Sequence, residues 1–397
     1  MQKSLITSAG LVLAAGFLVL FIGGGARFAI GLTLRPIVAD LGWGRTELGG
    51  AVALFQLVSA LAMFAAGRLV DTASPRLVLG TGLAISGLGI GTMSAMAAPW
   101  HALVLYGIVY AVGNGAASLI PVGVMVTRAF PQRTGTANAV AVSGMSLGQL
   151  LMIAALAAVL VSASWRTTYL WLGLAHLVLV PLVIAMIPRL DRAEVKTARP
   201  ASGLGLRAAA RTRRFWLLIV VYAICGFDDF FVSTHVVAFA QDRGVDAFLA
   251  GNLLALMGLT GLLGVVAAGL WSDRAGPVWP AAASFAIRLA VFALVLLDQS
   301  PASVAAFALV FGFTFLMTAP LAVVFVAKNF GARHLGALTG LITMVHHVCG
   351  GLGAFLGAAV FDATGGYDLA WAVMLGLTVA AFVLCLLLGT QRTPATA

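Results

Sequence analysis

Charge is what this chain has least of: Asp, Glu, Lys and Arg make up 9% of its 397 residues, where a soluble domain carries roughly a quarter. With 61% of the residues hydrophobic, so little charge excludes a water-soluble fold. Cysteine is scarce as well. Cys225, Cys349 and Cys385 all fall inside apolar segments without ligand-type spacing. That excludes a disulfide framework and a zinc site and leaves the three as packing residues. No Gly-rich phosphate loop, nucleophile elbow or metal-spaced His/Glu cluster occurs, so no enzyme chemistry, cofactor, metal or nucleotide-driven step is indicated. The formal net charge is +10, but the basic residues sit in short gaps between apolar segments. They form no basic face with interleaved aromatics, and nucleic acid is excluded as a partner.

Apolar stretches, each long enough to cross a hydrocarbon core of about 30 Å as a helix, fill the chain from end to end. Twelve spans are predicted, from Ile6–Val38 to Trp371–Leu388. The first is too long, and lacks the small-residue cleavage site, for a removable signal peptide, so it is expected to stay as a helix. Placing the N-terminus in the cytoplasm puts Lys3, Arg68, Arg76, Arg128, Arg133, Arg274, Lys328, Arg333 and Arg392 there, with the basic stretch from Arg189 to Arg214. Only Arg45, Arg166, Arg243 and, at the edge of the first span, Arg35 are left outside. This asymmetry predicts cytoplasmic termini. The long polar stretch divides the chain into an N-terminal six-helix bundle at 1–189, a cytoplasmic linker at 190–214 and a C-terminal six-helix bundle at 215–397.

The halves resemble each other. One gap reads Gly67 through Asp71 to Arg76, and its counterpart reads Gly269 through Asp273-Arg274 to Gly276. The same register pairs Gly49 with Gly251, Gly148 with Gly350, and Arg27 with Asp229. Internal similarity of this kind marks duplicated transporter folds. Gly and Asp suit a close helix approach beside a charge at the membrane face, although an ordinary helix end uses the same residues. The second gap resembles the loop signature of the major facilitator superfamily, while the first departs from it at Thr72 and Pro75. Within that superfamily the chain is similar to the bacterial branch related to monocarboxylate transporters. The likeness runs through Leu41-Gly42-Trp43-Gly44-Arg45, Ser143 to Gln149, Cys225-Gly226-Phe227, Thr234-His235, Ile287-Arg288-Leu289 and His346 to Gly351. Unlike the animal members, which carry an Asp and an Arg in the eighth helix, this chain has no charge from Phe248 to Trp271. The resemblance implies an all-α membrane fold of two pseudo-symmetric six-helix bundles, a monomeric carrier in a bacterial inner membrane. It also implies a cytoplasmic gating motif at Gly67, Asp71, Arg76, Gly269, Asp273 and Arg274.

A charged side chain at the bilayer centre costs at least about 2.5–3.5 kcal/mol, so the few that occur there are candidate site residues. They are Arg27, Asp228, Asp229 and Arg288, joined by the titratable His235, His346 and His347. Asp228 and Asp229 point about 100° apart on one helix, and Asp228 shares a face with His235. Because the resemblance puts helices 1 and 7 on a central cavity, Asp229 is expected to lie across it from Arg27. Arg27 is read as the anchor for an anionic solute, with Asn114, Gln149, His346 and His347 as further substrate contacts. Asp228, Asp229 and His235 are the candidates for proton coupling, and Arg288 is expected to neutralise Asp228 or to line the side of the cavity. A static Arg27–Asp229 pair is the structural alternative. No hydroxyl-rich broken-helix site for sodium is evident, so protons are the expected coupling ion. The resulting expectation is a proton-coupled carrier of a small organic anion of monocarboxylate type. The alternatives are a proton-driven exporter of amphipathic drugs or metabolites, suggested by Phe227, Phe230 and Phe231, and a membrane scaffold without transport.

Overall fold

The computed structural model describes residues 2–130, 134–187, 203–331 and 335–390. Among them it contains twelve helical segments long and apolar enough to cross a membrane. In order these are α1 (Ala9–Leu41), α2 (Arg45–Gly67), α3 (Pro75–Ala95), α4 (Pro99–Val126), α5 (Val140–Val159) and α6 (Trp165–Met186). The second set is α7 (Arg213–Asp242), α8 (Ala247–Ser272), α9 (Val278–Leu297), α10 (Pro301–Phe330), α11 (Ala337–Thr364) and α12 (Asp368–Gly389). Lipid offers no hydrogen bonds, so a spanning backbone must satisfy itself, and helices do this within one segment. Polar side chains take over at the ends. Asp246 accepts from the backbone N–H groups of Phe248 and Leu249 at the start of α8, and Ser300 accepts from Ser303 at the start of α10. Of the expected linker, residues 190–202 lie outside the described residues, and α7 is already helical at Arg213.

The main packing partners in the first set are α1 with α5, α3 with α6 and α2 with α4. The second set repeats the pattern one six-helix unit later: α7 with α11, α9 with α12 and α8 with α10. Between the sets, α2 packs on α11 and α5 on α8, again a symmetric exchange. The glycine register follows from these crossings. A Cβ at Gly148 on α5 would overlap the Phe21 carbonyl of α1, and one at Gly350 on α11 would overlap the Phe230 ring of α7. Small residues at such crossings let helices approach closely where lipid supplies no hydrophobic drive. Close approach does not explain both gating glycines. A Cβ at Gly67 would meet Ile120 at 3.0 Å, whereas Gly269 has nothing within 4 Å.

Three of the described spans are interrupted. The first helix stops at Ala26 and resumes at Ala29, leaving Arg27 and Phe28 in a tight turn after the Gly23-Gly24-Gly25 run. The α4 span carries a π-helical turn over Leu105–Tyr110 and breaks at Ala117-Ser118 before Pro121. The α10 span breaks from Leu316 to Thr318, before Pro320. Glycine and proline are poor in a helix interior and account for where the breaks fall. Freed backbone carbonyls at the breaks in α1 and α10 are met from neighbouring spans, by Tyr106 at Arg27 and by Tyr222 at Thr318.

Candidate functional site

The break in α1 sets Arg27 at mid-span, half-buried. Its guanidinium lies 5.2 Å from the Phe28 ring centroid and 5.1 Å from that of Phe230 on α7, distances that suit cation–π contact. The Tyr106 hydroxyl, in the π-helical turn of α4, donates to the freed Arg27 carbonyl at 3.1 Å. Among the described residues no carboxylate lies within ion-pair distance of this guanidinium. Beside it is a narrow cavity that leaves about 10 Å³ for the centre of a water-sized sphere, lined among others by Arg27, Phe55, Gln56, Phe230, Ser233 and Thr234.

Asp229 is not the partner of Arg27. Its Oδ1 lies 2.7 Å from Arg288 Nη2, and its Oδ2 is 3.2 Å from His346 Nε2 and 3.4 Å from the Cys225 thiol, which donates to it. Arg288 does meet Asp228, as expected, but at 3.8 Å from Nη1 this is the longer of its two carboxylate contacts. Asp228 Oδ2 instead accepts from the Thr378 hydroxyl at 2.9 Å. Arg288 also donates to the Thr314 hydroxyl at 3.2 Å and to the Thr314 carbonyl at 3.1 Å, at the edge of the break in α10. Two carboxylates therefore share one fully buried guanidinium, one negative charge in excess unless a proton resides among Asp228, Asp229 and His346. Cys225, Asp229 and His346 bring ligand atoms within 4.8 Å of one another. A cation there would face the Arg288 guanidinium, so the arrangement suits a proton better than a metal.

The remaining candidates divide. Asn114 stands beside Gly23, its Nδ2 3.6 Å from where a glycine Cβ would sit, one turn of α1 before Arg27. Gln149 does not line the Arg27 cavity: its Nε2 donates to the Leu254 carbonyl of α8 at 3.0 Å, so it fastens the two sets of spans together. His347 donates from Nδ1 to the Thr343 carbonyl at 2.9 Å and rests on Phe230. His346, expected to touch substrate, belongs instead to the carboxylate cluster. In the gating motif, Arg76 is half-buried and Arg274 is exposed, donating to its own Leu270 carbonyl at 3.4 Å. The side chains of Asp71 and Asp273 lie outside the described residues.

His235 joins a network at the membrane face opposite the chain termini. With Nε2–H donating to the Ala354 carbonyl at 2.9 Å, its Nδ1 accepts from the Tyr367 hydroxyl at 3.0 Å. Burial pushes that hydroxyl up from its ordinary value, so it stays protonated. Arg45 donates to Tyr367 at 2.7 Å and to both oxygens of Asp242 at 2.9 and 2.7 Å, with its guanidinium 3.6 Å from the Phe361 ring centroid. Asp362 of α11 accepts from the backbone N–H groups of Arg45 and Thr46 at 3.0 and 2.7 Å. A carboxylate from the second set thus caps the positive N-terminus of α2. This clasp ties the two sets of spans together at the far face. Asp242 keeps 23% side-chain exposure, so removing Arg45 should cost on the order of 2 kcal/mol, roughly a thirtyfold shift away from closure. Arg45→Ala should speed labelling of Ser233→Cys by an impermeant maleimide from the far face. Unchanged labelling would show that the clasp does not hold that face shut.

Sequence reasoning missed Arg45, Asp242, Asp362 and Tyr367, which look like ordinary span-end residues, and also Gln56. The amide of Gln56 in the middle of an apolar span was a signal, since a polar side chain is expensive there.

A family model described as Major Facilitator Superfamily matches residues 16–354 and 218–397. The chain is 25% identical over 343 residues to an uncharacterized MFS-type transporter, YcxA, of Bacillus subtilis (strain 168), covering 83% of this chain and 82% of the relative. It is 26% identical over 335 residues to monocarboxylate transporter 13 of Rattus norvegicus, covering 80% and 76%. Among solved structures, a bacterial homolog to the human lysosomal transporter Spinster, inward-facing and occupied, superposes with a TM-score of 0.79 at 14% identity, covering 97% of this chain and 98% of that one.

Proposed function

Because the chain belongs to the Major Facilitator Superfamily and is a multi-pass membrane transporter working by alternating access, we propose that it carries a small organic anion together with protons. The observation that carries this reading is Arg27: a half-buried guanidinium at a helix break, flanked by two aromatic rings, with no carboxylate within ion-pair distance among the described residues. A buried charge needs a partner, and a solute carboxylate supplies one through paired N–H···O contacts. The printed name of the rat relative, monocarboxylate transporter 13, agrees with a carboxylate.

In this reading the bundles at 1–189 and 215–397 rock about the Arg27 cavity, joined by the linker at 190–214. The carrier is a monomer in a bacterial inner membrane with both termini cytoplasmic, as the arginine asymmetry favours, and the conformation closed at Arg45 faces inward. The solute neutralises Arg27 while a proton neutralises the Asp228–Asp229–Arg288–His346 cluster. The loaded carrier then buries no net charge at either place, and occlusion becomes less costly.

Proteoliposome uptake of a monocarboxylate panel, with and without a pH gradient and corrected for protein-free liposomes, tests this. At least one member should accumulate only with the inside alkaline. Uptake of none would refute the anion reading. The aromatic lining from Phe28, Phe55 and Phe230 favours the second reading, an exporter of amphipathic compounds. Gradient-driven loss of an amphipathic cation, with no carboxylate uptake, would support that one.

A further inference from the structure

Gln56 lies in the middle of α2 and is fully buried, yet neither its Oε1 nor its Nε2 has a hydrogen-bond partner among the described residues. An amide buried in this way is costly, and each such group in a folded protein calls for an explanation. Three features say where its partner comes from. Gln56 lines the same narrow cavity as Arg27, with Ser233 and Thr234 of α7 on the wall. The α11 backbone closes over it, since a Cβ at Gly351 would stand 3.2 Å from Gln56 Cβ and 2.9 Å from the Ala53 carbonyl. The amide also offers a donor and an acceptor together, the pair that a hydroxyl can satisfy in both senses.

We infer that Gln56 is a specificity-determining residue: it reads a hydroxyl on the solute whose carboxylate Arg27 holds, so that the carrier prefers hydroxycarboxylates to the corresponding plain carboxylates. This rests on the reading of Arg27 as the anion anchor. A site built to hydrogen-bond a hydroxyl rejects the analogue lacking it, because the buried amide is then left unpaired. Gln56 makes no charged contact, so its effect is on which anion binds rather than on whether an anion binds.

The test is thermal stabilisation of the purified full-length protein by two matched pairs, lactate against propanoate and gluconate against hexanoate. The wild type should bind the hydroxylated member of at least one pair roughly tenfold more tightly. Gln56→Leu should lose that preference, still bind the plain member, and melt no lower than wild type without solute, because it replaces an unpartnered amide. Gln56→Met, which keeps the side-chain length, should behave alike. The inference falls if either variant keeps the hydroxyl preference, if the wild type shows none, or if both variants melt lower, which would mean the amide serves the fold. If the wild type binds none of the four probes, the Arg27 reading falls with it; if it binds them without discrimination, only the role of Gln56 falls.

Discussion

Asp229→Asn is expected to abolish uptake driven by a pH gradient while leaving solute exchange across the membrane intact. The amide has the shape of a protonated carboxyl and can never release a proton, so the carrier behaves as if permanently protonated. It then cycles only with solute bound on both journeys. Asp229 is the better position than Asp228 because it contacts His346, whose side chain keeps 18% exposure, whereas Asp228 and Arg288 are fully buried. A proton arriving from the half-exposed side therefore meets His346 and Asp229 first. Asp228→Asn removes the weaker contact of Arg288 and should alter coupling less. Concentrative uptake by Asp229→Asn, at wild-type levels and the same pH gradient, would remove the coupling role from this residue. Because Asp228 and Asp229 share one guanidinium and Asp229 also touches His346, the pH dependence of transport reports the cluster and not one side chain.

Arg27→Lys should bind the transported anion less well although the charge is kept. The planar guanidinium pairs two N–H groups with a carboxylate and lies against the Phe28 and Phe230 rings, and a compact ammonium reproduces neither contact. Losing one charge-assisted contact costs around 1.5–3 kcal/mol, or one to two decades in affinity. Arg27→Ala should lose more. The structure also changes what a static role would predict. Asp229 already has Arg288 at 2.7 Å, so removing Arg27 leaves no carboxylate stranded, and the Arg27→Ala protein should fold and melt normally. Normal folding with lost uptake is the signature of a binding residue. Normal uptake would make Arg27 a bystander.

Much of the architecture was legible in the sequence, because insertion into lipid imposes strict rules on segment length and charge. The Gly148 and Gly350 register foretold two equivalent crossings, since close approach tolerates no larger side chain. Partner assignments were not legible. The pairing of Arg27 with Asp229 followed from their pseudo-equivalence, but α9 is so apolar that its sequence does not reveal which face Arg288 occupies, and a long side chain reaches α7 from a peripheral helix. Gln149 was an isolated amide in an apolar span, as Gln56 is. Only the fold shows that one bonds the Leu254 carbonyl and the other has nothing among the described residues. Arg45 lay at a span end, where arginines are common; its burial comes from contact between the two sets of spans, which no local pattern encodes.

Movement of protons by the solute itself is the most direct sign of a carrier that couples an anion to a proton. In proteoliposomes with equal pH on both sides and the membrane potential clamped at zero, an inward gradient of the transported carboxylate alone should drive protons inward. The interior should acidify faster than in protein-free liposomes, and the excess should vanish in both Arg27→Ala and Asp229→Asn. Carboxylate entry through the wild type without that excess acidification would contradict the coupling of anion and proton on which the mechanism rests.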